Sequence, residues 1–114
     1  MNKDTSLTVQ EATYELLRRL DLTTIFGNLG STELTFLENF SSDCQYILAL
    51  QEASAVAMAD GYAQAKGKPA LVNLHTFPGT GNGMGNIAAA YMNKPRSSSW
   101  VVTRPGKCWW ATYS

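Results

Sequence analysis

Cysteine is scarce in this chain. Cys44 and Cys108 are the two among 114 residues, far apart and without metal-ligand spacing. That excludes a disulfide-stapled scaffold and a zinc-type ligand set, and it suits a reducing cytoplasm. No apolar run approaches the length that spans a bilayer. Met1-Asn2-Lys3-Asp4 has no apolar core behind it, so a secretory signal is not expected. An excess of one charge is missing too: nine Lys and Arg balance nine Asp and Glu. The whole chain therefore argues for no nucleic-acid and no membrane partner. Histidine occurs once, at His75.

The charge balance hides an asymmetry. Residues 1–94 carry all nine acids and six bases, whereas residues 95–114 carry three bases, no acid and all three tryptophans. So sharp a shift in composition marks a boundary.

What is present is an alternation of short apolar runs and helical periods. Thr8-Val9-Gln10-Glu11 has the form of a capping box. Val9, Ala12, Leu16, Leu17 and Leu20 then recur at helical spacing, which predicts a helix over about 9–20. Thr23 to Phe26 reads as a buried strand, Gly27 to Ser31 as a tight loop, and Thr32 to Phe40 as a helix burying Leu34, Leu37 and Phe40. Tyr46 to Leu50 reads as a second buried strand, and the period changes at Glu52 to a helix reaching Lys66. Gly67-Lys68-Pro69 is a turn, Ala70 to Leu74 a third strand, His75 to Asn82 a glycine-rich loop, and Gly83 to Met92 a fourth helix. This order predicts an α/β fold, a parallel sheet of three strands with flanking helices. A fourth strand is due after the last helix, but the segment from Lys94 to Trp100 is no apolar run.

Three loops then leave the carboxyl ends of three strands and open on one edge, where such sheets bind ligands. They carry Asn28 and Ser31, then Gln51 and Glu52, then His75 through Asn82. The last loop lacks the dinucleotide fingerprint and the Gly-Lys-Ser/Thr ending of a P-loop. Its glycines suit the approach of a flat ligand to the backbone. Each residue also has a local reading: Glu52 as a first-turn acid, His75 as a structural imidazole, Ser31 as an N-cap.

Four motifs, in order and in register from about Thr8 to Lys94, resemble the N-terminal pyrimidine-binding domain of thiamine diphosphate enzymes, in the benzoylformate decarboxylase branch. They are Phe26-Gly-Asn-Leu-Gly-Ser-Thr-Glu33, Tyr46-Ile-Leu-Ala-Leu-Gln-Glu-Ala53, Ala59-Asp-Gly-Tyr-Ala-Gln-Ala65 and Asn73-Leu-His-Thr-Phe-Pro-Gly-Thr-Gly-Asn82. The resemblance implies that Glu52 hydrogen-bonds the N1′ nitrogen of the cofactor's aminopyrimidine. It implies that Gly79, Thr80, Gly81 and Asn82 pack against that ring. Ser31 would hold the carboxylate of a small 2-oxo acid, and His75 would move protons. Mg2+ or Ca2+ and the diphosphate would be held by a separate domain, in the intact family one of another subunit, and no metal ligand is expected here. Leu29 stands where the family usually has proline.

Residues 1–94 are thus expected to be the front part of that domain, and 95–114 an aberrant or disordered tail with solvated tryptophans. One set of synonymous codons for residues 95–110, read in another frame, spells Pro-Leu-Ile-Ile-Met-Gly-Ser-His-Gln-Ala-Arg-Lys-Met-Leu-Val. That supplies the strand and helix the fold calls for. The expectation is a frameshifted, truncated decarboxylase, inactive alone. The alternatives are a non-catalytic binding or dimerisation module and an unstable truncated product. The DNA downstream of residue 94 decides the frameshift.

Overall fold

The computed structural model describes residues 7–31, 33–93, 98–104 and 107–113, the last two segments by their backbone alone. Helix α1 spans Val9–Arg19 and is closed at its start by the expected box. Glu11 N donates to Thr8 Oγ1 at 3.2 Å, and Thr8 N donates to Glu11 Oε2 at 2.8 Å. The buried face of α1 differs from the expected stripe. Tyr14 and Leu17 are buried, while Val9 is 86% exposed. Tyr14 sets this face because its hydroxyl can donate to Phe36 O (2.8 Å) while its ring stacks on Phe36.

Strand β1 (Thr24–Asn28), strand β2 (Gln45–Leu48) and strand β3 (Leu71–Leu74) form one parallel sheet in the order β2-β1-β3. Ile25 pairs with Tyr46 on one side and Leu71 on the other, and Phe26 with Ile47 and Val72. Strand pleating sends alternate residues to opposite faces. Ile25 and Leu71 join Tyr14, Leu17 and Leu22 under α1, while Phe26, Val72 and Leu74 join Ala55, Val56, Ala59 and Ala63. Those last four lie on helix α3 (Glu52–Lys66), which has the expected bounds and ends on Gly67 in the left-handed conformation. Its small side chains let α3 lie close to the sheet.

Three expectations are corrected. Strand β2 is not buried: α3 packs over β1 and β3 rather than β2, leaving Leu48 56% and Leu50 88% exposed. Helix α2 is one turn, Leu34–Leu37, with Leu34 59% exposed and Leu37 and Phe40 only half-buried. A helix that short has little nucleus of its own. The glycine-rich stretch is not a loop, because helix α4 runs from Thr76 to Asn93. Four glycines weigh against a helix by propensity, but packing against α3 overrides that. Gly79, Gly83 and Ala90 are its buried residues, and Asn86 Nδ2 ties it to Ala53 O at 2.6 Å.

Strand β4 (Ser98–Arg104) and strand β5 (Lys107–Tyr113) form a separate antiparallel pair. Among the described residues the parallel sheet keeps three strands, and β4 pairs with β5 instead of extending it. The expected solvation of Trp100, Trp109 and Trp110 concerns side chains outside the described residues, as do Thr32 and the junction at 94–97. Among the described residues, no helix is long and apolar enough to cross a membrane.

Candidate functional site at the carboxyl edge of the sheet

Because all three strands run the same way, Asn28, Glu52 and His75 come to one edge. Glu52 is the first residue of α3 and is 8% exposed. The Gln51 side chain caps that helix, accepting from Ser54 N at 3.0 Å. The Glu52 carboxyl therefore need not serve the helix start and is held from elsewhere. Asn28 Nδ2 donates to Oε1 at 3.1 Å, and Asn82 Nδ2 donates to Oε2 at 3.3 Å. One donor ends β1 and the other lies on α4, so the carboxyl is fixed by two elements besides its own.

Gly79 completes this wall. A Cβ there would stand 3.2 Å from Glu52 Oε1. The bare backbone thus leaves room beside the carboxyl that any side chain would take. Thr80 turns its hydroxyl back to Thr76 O (3.0 Å), and Gly81 has open space at its Cα.

His75 forms a second cluster one helical turn away, joined to the first by Gly79 N donating to His75 O at 2.9 Å. Its Nδ1 lies 2.8 Å from Oε2 of Glu33, which is 4% exposed. Gly30 N donates to the same oxygen at 2.9 Å. A Cβ on Gly30 would fall 1.9 Å from His75 Nδ1, so the imidazole lies directly on bare backbone. Thr76 follows with φ of 55°, in the left-handed region that β-branched residues avoid. That turn takes the chain from β3 into α4 with His75 at the corner.

Ser31 is exposed on the first loop and does not cap α2, whose N-cap residue is Glu33. The local reading of Ser31 as a cap is thereby overturned. Glu33 escaped the sequence reading as a site residue. Its signal was an acid three residues past Gly30, close to the only histidine once the strands align.

Residues 7–96 match the family described as thiamine pyrophosphate enzyme, N-terminal TPP binding domain. The chain belongs to this family. Over 84 residues it is 58% identical to benzoylformate decarboxylase of Pseudomonas aeruginosa, covering 74% of this chain and 16% of that relative. A solved structure from Mycobacterium smegmatis, described as a thiamin diphosphate-dependent enzyme, superposes with a TM-score of 0.78 at 59% identity, over 85% of this chain and 18% of its own. Benzoylformate decarboxylase from Polynucleobacter necessarius gives 0.76 at 57% identity, over 78% and 17%. The chain thus spans 16–18% of the length of these relatives. The site fits the aminopyrimidine half of the family's cofactor. A buried carboxyl with both oxygens oriented, beside a helix face bare at Gly79, can meet a flat ring bearing a basic nitrogen.

Proposed function

We propose that this chain supplies the aminopyrimidine-binding part of a thiamine diphosphate-dependent decarboxylase acting on a small 2-oxo acid of the benzoylformate class. The observation that carries the reading is Glu52, buried and held at both oxygens by Asn28 and Asn82. Bound thiamine diphosphate supplies the electron sink for breaking the bond between the carboxyl and 2-oxo carbons. Glu52 holds or gives up a proton at the ring nitrogen it faces, and the two amides keep the carboxyl aimed while it does so. Gly79 admits the ring, and Thr80, Gly81 and Asn82 flank it. Ser31 holds the substrate carboxylate, and His75 takes and returns protons at the substrate. The diphosphate and its Mg2+ or Ca2+ belong to a separate domain, of another subunit in the assembled enzyme.

The test is complementation. The chain is mixed with the remainder of a benzoylformate decarboxylase lacking its first domain, with thiamine diphosphate, magnesium and benzoylformate. Turnover is expected, and Glu52→Gln should lower kcat by about 100-fold or more, the range of a lost acid–base group. Normal turnover by the glutamine variant would remove Glu52 from the mechanism. A second reading, a dimerisation module, draws on the exposed Phe77 (82%), Met84 (52%) and Tyr91 (55%), spaced by seven residues along α4. Sedimentation of the chain alone separates it: a stable dimer with no complementation would favour pairing.

A further inference from the structure

We propose that Glu33 is a positioning residue that fixes the His75 imidazole in its Nδ1–H tautomer, making Nε2 the atom through which His75 exchanges a proton with substrate. The role of His75 rests on the function proposed above; the tautomer does not. Four observations converge on it. Glu33 is 4% exposed, yet its carboxylate is spent on His75 and on the Gly30 amide rather than on capping α2. A carboxylate accepts hydrogen bonds, so at 2.8 Å the hydrogen lies on Nδ1, and a neutral ring then carries its lone pair on Nε2. Gly30 provides the floor, since a Cβ would overlap the ring at Nδ1, Cε1 and Cγ. Thr76, held at φ of 55°, fixes the corner from which the ring projects.

The geometry gives a balanced proton step. Nε2 accepts a proton and the ring becomes an imidazolium with hydrogen on both nitrogens. Its charge is met by the Glu33 carboxylate, which remains an acceptor throughout. Nε2 then returns the proton. A carboxylate behind a histidine serves the same end in hydrolytic triads, where it orients the ring and stabilises its charged form. The side chain of His75 is 34% exposed while Glu33 is enclosed, so the ring reaches the open edge and its anchor does not.

His75 is the only histidine in the chain, so its ring nitrogens can be read without assignment. Nitrogen-15 NMR of the labelled full chain, above the imidazole titration and without cofactor, distinguishes pyrrole-type from pyridine-type nitrogens. The wild type should show Nδ1–H. Glu33→Ala should shift the ring toward the Nε2–H form that free imidazole side chains prefer. Glu33→Gln, whose amide oxygen still accepts, should restore Nδ1–H. Gly30→Ala should displace the ring and lose the signature with Glu33 intact. A wild-type ring that is mainly Nε2–H or mixed overturns the proposal, whatever the variants do, and so does an unchanged tautomer in folded Glu33→Ala. The spectra involve no thiamine diphosphate. Failure here therefore leaves the complementation result untouched, and failed complementation leaves the tautomer standing.

Discussion

Glu52 shows how a single buried side chain is held in place. Its own helix places it, but two asparagines from other segments aim it. Hydrogen bonds to a charged group contribute roughly 1.5–3 kcal/mol each. Asn28→Ala should therefore weaken thiamine diphosphate binding in the complemented enzyme by about 10-fold or more. Asn82→Ala should weaken it less, since its bond is longer, 3.3 Å against 3.1 Å. Calorimetric titration ranks the two, and equal affinities for both variants and the parent would show that the amides merely fill space. Behind the site, burial pushes the Tyr46 phenol up to about 12 from 10.0, the Asn73 side chain offsetting part of the rise and Glu33 adding to it. The unfolded chain thus releases this proton first. Stability is intact below pH 10 and is lost as pH climbs through 12. Tyr46→Phe should remove that loss, so its urea midpoint falls less than the parent's over this range. Glu52 and His75 were legible as residues at the ends of strands. Glu33 was not, because nothing local says that a residue beside a one-turn helix will be enclosed by a strand forty residues on.

Elements were legible where local preference and packing agree. Helix α3 starts and stops where its period and Gly67 say, and the Thr8 box is read straight from four letters. Helix α4 shows the opposite case. Its first half is glycine-rich, so propensity argues for a loop, and only the facing surface explains the helix. A Cβ on Gly83 would meet Val56 at 3.2 Å and Leu74 at 3.3 Å, whereas one on Gly85 would meet nothing within 4 Å. Gly85→Ala should thus raise the thermal midpoint by roughly 2–8 °C, through helix propensity alone. Gly83→Ala should lower stability by about 1–3 kcal/mol through overpacking. Circular dichroism melts compare them directly, and a stabilised Gly83→Ala would mean that α4 stands further from α3 than described. The burial expected of β2 failed for another reason. An apolar run such as Tyr46 to Leu50 does not say which strands a helix will cover, and here α3 lies over β1 and β3.

For the molecule as a whole, the proposed function makes the wall around Glu52 one side of a cofactor site. The chain of 114 residues, incubated with benzoylformate, thiamine diphosphate and magnesium, should give no turnover above a protein-free control. Turnover abolished by Glu52→Gln would show that these 114 residues assemble more of the site than their described face. The sheet order carries a consequence in time. The strand that comes first in the chain ends up in the middle, with one neighbour from the next βα unit and the other from the one after. During synthesis β1 therefore waits on the ribosome with both flanks unsatisfied. Its second flank is filled only when β3 has emerged, and Asn82 reaches Glu52 later still. The Glu52 carboxyl has its Asn28 donor already made when it emerges and gains its second, Asn82, last.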